Sequence, residues 1–209
     1  MPLYDPNALL NSLRGANWSV AAKTYGSSHA TLIGLLAHWW INLSPGSHSV
    51  LDGAPSHGEG NAGWCDLMLC ANEVPLGVVE VEGTKPIDKL RTISAYFSSS
   101  RLILSSLEFG LLLVYAYNAR GRGIAKQYPP AQTAEVLAAA LHLSASHPSK
   151  TLIVLALDKV VDANPGAVRL SSLYHLGRFE RIEATLLTNG QENHREVLFK
   201  STDLNTGEE

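Results

Sequence analysis

The sequence predicts an α/β fold in which helices cover both faces of a mixed β-sheet. Two uninterrupted apolar runs, Phe109 to Tyr117 and Leu152 to Leu157, read as central strands with no solvated side. Between Trp64 and Glu82 the texture is that of an antiparallel hairpin, two β-rich runs joined by turn formers around Asn72 to Pro75. Helical patterns separate these runs. The resulting order of helix, two or three strands, helix, strand, helix, strand leaves few topologies other than an α/β sandwich.

Each element has a local cause. Asp5-Pro6 combines an N-cap with proline at the first helical position and leads into Ala8, Leu9, Leu10 and Leu13, a helix that stops near Gly15. A second helix, from about Ser28 to Leu43, carries Ile33, Leu35, Leu36, Trp39, Trp40 and Leu43 on a broad apolar stripe and ends at Pro45-Gly46. His29 and His38 lie on or near it and read as ordinary histidines, partly buried or at the surface. Residues 52 to 63 are dense in turn formers and read as an exposed loop. The hairpin follows as Trp64 to Cys70 and Leu76 to Glu82, closed by Gly83-Thr84. Pro86 then opens a helix with Ile87, Leu90, Ile93, Ser94 and Phe97, around which Lys89, Arg91 and Arg101 are spread. Thr133 is the expected N-cap of an alanine-rich helix through Leu143. Beyond the last apolar strand come a Pro165-Gly166 turn, a short helical stretch near Val168 to Tyr174, and a hairpin in which Asn189-Gly190 joins Arg181 to Thr188 with Glu196 to Lys200. Asp203 to Glu209 should fray.

With 209 residues, 45% hydrophobic and 17% charged, the chain can bury a real core and is too apolar for a disordered or fibrous protein. A single domain over residues 1–209 is expected. The net charge of −3 excludes a generally sticky polyanion binder. That sum hides unlike parts, because residues 1 to 84 hold two basic and seven acidic side chains. In residues 85 to 126 the balance reverses, with Lys85, Lys89, Arg91, Arg101, Arg120, Arg122 and Lys126 against Asp88 and Glu108. Cys65 and Cys70, spaced C-x4-C with no second pair, fit neither a disulfide framework nor a zinc template. They read as small buried residues on opposite faces of one strand, in a reducing compartment. The sequence shows neither a secretion leader nor an apolar stretch of membrane-spanning length, so a soluble cytoplasmic protein with no membrane partner is expected. It contains no P-loop, no G-x-S-x-G elbow, no H-E-x-x-H and no G-x-G-x-x-G after a strand.

Chemistry concentrates on Gly63-Trp64-Cys65-Asp66-Leu67-Met68-Leu69 and, fourteen residues after the aspartate, on Glu80 and Glu82 within Val79-Glu80-Val81-Glu82. Residues two apart on a strand share a face, so Glu80 and Glu82 should project together, with the hairpin bringing Asp66 beside them. Three carboxylates on one patch repel one another, and a hard divalent cation relieves that repulsion. Oxygen-only ligation favours Mg²⁺ or Mn²⁺ over zinc. The plainer reading is a hairpin with glutamates on its solvated face; against it stand the apolar setting and the basic helix that starts immediately afterwards.

On these residues the sequence resembles the PD-(D/E)XK nuclease superfamily, the fold of many restriction endonucleases, repair nucleases and junction resolvases, over roughly residues 28 to 157. The resemblance implies a restriction-endonuclease-like mixed β-sheet flanked by helices as the core, with residues 160–209 as a small C-terminal hairpin extension. It matches Asp66 to the aspartate of the second strand and Glu80 to the first acidic position of the (Asp/Glu)-x-Lys motif on the third. No proline precedes Asp66. The lysine position holds Glu82, as in a minority of restriction endonucleases; alternatively the lysine has moved to the next helix, where Lys85 or Lys89 supplies the charge. The acidic residue common on the first helix has no match, since residues 28 to 43 contain no Asp or Glu, and Asp52 or Glu59 could substitute.

The resemblance implies a Mg²⁺-dependent endonuclease that hydrolyses DNA phosphodiester bonds, restriction-like or repair-like, with Mn²⁺ able to substitute. Asp66, Glu80 and the Val81 carbonyl would hold the metal. Glu82 or a lysine would orient the water, and Lys85 at the helix start would face the developing charge. DNA contacts are expected from Lys89 and Arg91, and from Arg120, Arg122 and Lys126 in the glycine-containing loop after the central strand. The resemblance also implies a homodimer, since cutting both strands of a duplex usually takes two active sites. Two other classes compete. One is a non-catalytic DNA-binding or scaffold member of the same fold. The other is a metal-dependent hydrolase of small phosphoesters, which requires a closed pocket and little salt dependence.

Overall fold

The computed structural model describes residues 5–18, 28–43, 46–51, 64–83, 85–115, 130–162 and 177–200. Its helices are α1 (Pro6–Arg14), α2 (Ser28–Ile41), α3 (Pro86–Phe97) and α4 (Pro130–Ser146). Its strands are β1 (Ser47–Leu51), β2 (Leu67–Ala71), β3 (Val74–Glu82), β4 (Phe109–Tyr115), β5 (Thr151–Asp162), β6 (Gly177–Thr188) and β7 (Gln191–Lys200). All seven form one mixed sheet in the order β1-β2-β3-β4-β5-β6-β7. β1, β2 and β3 make an antiparallel meander, β3, β4 and β5 run parallel, and β5, β6 and β7 are again antiparallel. The two parallel crossovers are the segments carrying α3 and α4. The expected α/β class is therefore found.

Side-chain alternation assigns the layers. On β3 and β4, Val79, Val81, Leu111 and Leu113 face α1 and α2, where Leu9, Leu10, Leu13, Leu32, Leu36 and Trp40 bury against them. Val78, Leu112 and Val114 face the other way, toward Leu90, Ile93 and Tyr96 of α3 and Val136, Ala140 and Leu143 of α4. Every residue of β4 is buried, which is why its sequence shows no alternation. Each fully buried aliphatic or phenylalanine side chain contributes about 1.5–3 kcal/mol.

Local signals act where they were read. The Asp5 side chain accepts the Asn7 N–H ahead of Pro6, and Asn189 and Gly190 both take positive φ (51° and 72°), the geometry of a two-residue hairpin turn. Asn72 and Glu73, at φ 49° and 66°, make a second such turn, so Pro75 lies inside β3.

Other expectations are corrected. The C-terminal hairpin is not an appendage: β6 pairs with β5 from Thr188 to Gly177, and Ile182, Ala184, Leu186 and Leu198 join the core under α1 and α2. α4 begins at Pro130, so Thr133 lies within it, and Arg101 lies beyond the end of α3. Cys65 precedes β2, and both free cysteines are buried in the same cluster beneath α3. The loop at 52–63, the turn and helical stretch at 165–174, residues 203–209, and Arg120, Arg122 and Lys126 lie outside the described residues. No helix among the described residues is long and apolar enough to cross a membrane.

Candidate active site

Asp66 stands at the entrance to β2, and two hydrogen bonds fix it there. The Cys65 N–H donates to the Tyr96 hydroxyl (3.2 Å), and the Val81 N–H donates to Asp66 Oδ2 (2.8 Å). The first ties the backbone before Asp66 to α3; the second ties its carboxylate to β3. Val81 buries its side chain on the α1/α2 face, leaving its backbone to serve the carboxylate.

Glu80 shares the α3 side of β3 with Val78 and pairs with Leu112 of β4. Its side chain is completely buried, an expensive position for a carboxylate. Burial pushes its carboxyl up to about 8, the nearby Asp66 carboxylate adds to the rise, and Lys89 only partly opposes it. Oε2 of Glu80 lies 2.6 Å from Lys89 Nζ, and Oε1 is buried without a hydrogen-bond partner.

Lys89 comes from the first turn of α3. Its Nζ is also 3.7 Å from Asp66 Oδ1, so one ammonium spans both carboxylates. Burial alone would lower the Lys89 ammonium, but the pull of Glu80, then Asp66 and Glu82, outweighs it and the net shift is upward. Lys89, Ile93 and Tyr96 recur at helical spacing, so the stripe that packs α3 onto the sheet also delivers the ammonium and the phenol.

The structure sorts the predicted residues. It brings Asp66, Glu80 and Lys89 together. Glu82 does not complete a three-carboxylate cluster: its Oε1 accepts the Gly83 N–H (2.7 Å), while its charge acts on Lys89. Among the described residues no three His, Cys, Asp or Glu side chains converge as a metal cage. Lys85 is exposed at the N-cap of α3 and makes no ion pair with Asp66 or Glu80, because its side chain leaves the helix before the turn that faces them. Lys89, expected either on DNA or as the lysine moved to the helix, sits inside the carboxylate pair. Arg91 is exposed and bonded to Asp88 (2.9 Å).

Two contributors escaped the sequence reading. Tyr96 carried a signal, its spacing seven residues after Lys89 on an apolar stripe. His29, with Nε2 3.6 Å from Asp66 Oδ1, carried none beyond being polar on the helix that precedes the meander.

The donor set suits a hard cation. Mg²⁺ is commonly held by one or two carboxylates, its other positions going to water and substrate phosphate. Asp66 and the unpartnered Glu80 Oε1 offer that. The site lies toward the carboxyl end of β3, where open α/β sheets bind ligands. A separate groove of about 470 Å³ lies at the amino ends of β4 and β5, lined by Pro6, Leu9, Glu108 and Lys150 among others. No protein-family model, curated protein or solved structure matches the chain.

Proposed function

We propose that the protein is a divalent-metal-dependent endonuclease of the restriction-endonuclease-like class that hydrolyses DNA phosphodiester bonds. The observation that carries this reading is the single ammonium, Lys89, spanning Asp66 before the second strand and Glu80 on the third. On this reading Asp66 and Glu80 fill the two acidic positions of the motif, and Lys89 stands for its lysine, moved from the strand to the following helix.

Asp66, Glu80 and the Val81 carbonyl would hold Mg²⁺ or Mn²⁺, which when bound polarises the phosphate and lowers the pKa of a water. The chain's own groups do the rest. The Val81 and Cys65 hydrogen bonds orient Asp66. Lys89 places positive charge where negative charge develops on the phosphate, aided by the amino end of α3. Arg91 on the outer side of α3, and the basic segment that follows β4, supply charge for the DNA backbone. Two copies acting together would cut both strands of a duplex.

The test is supercoiled plasmid incubated with the purified chain and Mg²⁺ or Mn²⁺ over a range of salt. Cleavage that disappears in Asp66→Ala and Glu80→Ala supports the reading; no cleavage by wild type, or equal cleavage by the variants, overturns it.

One observation favours a second reading, a non-catalytic DNA-binding member of the same fold. Lys89 Nζ, 2.6 Å from Glu80 Oε2 and 3.7 Å from Asp66 Oδ1, already places a positive charge between the two carboxyl groups without metal. Mn²⁺ titration separates the two, since a relic site binds none through Asp66 and Glu80.

A further inference from the structure

We propose that Trp64 stacks on an unpaired base of the bound strand, so that the protein prefers DNA with unpaired bases, such as a single strand or a flap, to a continuous duplex. This rests on the nuclease reading just given and deepens it by naming the substrate class.

The four tryptophans divide into two kinds. Trp18, Trp39 and Trp40 are buried, whereas Trp64 is 58% exposed. An indole is large and mostly apolar, and a folded chain ordinarily hides most of it. This one stands two residues before Asp66, at the entrance to the site. Two residues span at most about 7 Å of chain, so the indole and the carboxylate can serve neighbouring parts of one ligand. The chain between them is pinned: Cys65 is completely buried in the cluster beneath α3, and its N–H donates to the Tyr96 hydroxyl at 3.2 Å. The exposed ring is thus rooted in a fixed backbone. The site opens to solvent, since His29, with Nε2 3.6 Å from Asp66 Oδ1, is 48% exposed. Lys89, between the carboxyl groups, offers its ammonium to a phosphate. A phosphate held there puts its own nucleoside within reach of the Trp64 ring. In a continuous duplex the base faces are covered by their neighbours and only the edges reach the grooves. A face becomes available once a base has left the stack, and any of the four bases then stacks on an aromatic ring. An exposed indole beside a phosphate site therefore selects unpaired bases without selecting a sequence.

Trp64 also supplies the readout, because the other three indoles are buried. The full chain as wild type, Trp64→Phe and Trp64→Ala is titrated in EDTA at low salt with oligothymidylate and with a matched duplex. Tryptophan emission reports stacking, and the anisotropy of dye-labelled DNA reports affinity. We expect oligothymidylate to quench wild-type emission and to shield it from iodide. Trp64→Phe keeps a ring but not the fluorophore, so its affinity stays within about threefold while the quenching vanishes; Trp64→Ala loses about tenfold or more. The duplex binds more weakly and without quenching. Oligothymidylate bound with unchanged wild-type emission, or with equal affinity in Trp64→Ala, overturns the stacking role and leaves DNA binding standing. A duplex bound as tightly as the single strand overturns the preference for unpaired bases. Neither DNA bound by wild type overturns the nucleic-acid reading itself, and this inference with it.

Discussion

Lys89 Nζ lies 2.6 Å from Oε2 of the completely buried Glu80. Burial outweighs the pull of Lys89 and pushes the Glu80 carboxyl up to about 8, while Glu80 and Asp66, the latter 3.7 Å from Nζ, outweigh burial at Lys89 and raise its ammonium. A divalent cation presented to the carboxylates therefore enters a site already shaped for positive charge.

Lys89→Met should reduce plasmid cleavage by about 10²- to 10³-fold, the usual cost of losing one group aimed at developing charge. Lys85→Ala, which removes an exposed side chain from the start of α3, should cost threefold or less. Single-turnover rates at saturating Mg²⁺ decide between them. A larger loss in Lys85→Ala would give the lysine role to Lys85, and equal losses would refute a special role for Lys89.

The second expectation concerns pH and metal-free stability. Glu80 titrates near 8 in the folded chain against an ordinary 4.5, so the folded state holds a proton that the unfolded chain has released between those values. The sign follows: stability is greatest below 4.5 for this group and falls as pH rises through 8. The slope from one such group is at most about 1.4 kcal/mol per pH unit. Urea denaturation in EDTA at several pH values should show wild type losing stability across the window while Glu80→Gln loses less. Parallel curves would refute the assignment.

The fold was legible where the sequence carries local physics. Asp5-Pro6, Asn189-Gly190 and Pro86 act through backbone constraint, and the apolar runs of β4 and β5 announce burial on both sides. β1 stayed open between two strands and three because Ser47-His48-Ser49 lacks apolar alternation; it is held as an edge strand by pairing with β2. Asp66 and Glu80 were legible from spacing, since a hairpin fixes which residues meet. Glu82, Lys85, Lys89 and His29 were not, because which of several charged side chains reaches a point depends on helix phase and on which layer each helix occupies. A count of lysines after the strand cannot distinguish an exposed N-cap from a first-turn residue facing the sheet.

Tyr96→Phe should act on both stability and site. It leaves the buried Cys65 N–H without its acceptor, a loss of about 1–3 kcal/mol, and frees the backbone directly before Asp66. A thermal melt reads the first effect. The second appears as weakened Mn²⁺ binding, whereas Tyr96→Phe with wild-type metal affinity would show that the Val81 N–H alone orients Asp66.

Gly110 gives the last prediction, because it sets how closely α3 can approach the sheet. A Cβ at this position would come within 2.6 Å of Ile93 Cγ2 and 3.1 Å of Phe97 Cζ, both on α3. Gly110→Ala should therefore cost about 1–3 kcal/mol through overpacking. It should also lower cleavage, since Ile93 is one turn from Lys89 and the two move with the same helix. Truncating the obstructing side chain supplies the control. Ile93→Ala opens a cavity by itself, but in the double variant the new methyl fills part of it, so the combined loss should fall short of the two single losses added together. Additive losses in denaturation would mean that α3 absorbs the methyl without shifting, and that its distance from the sheet is set elsewhere.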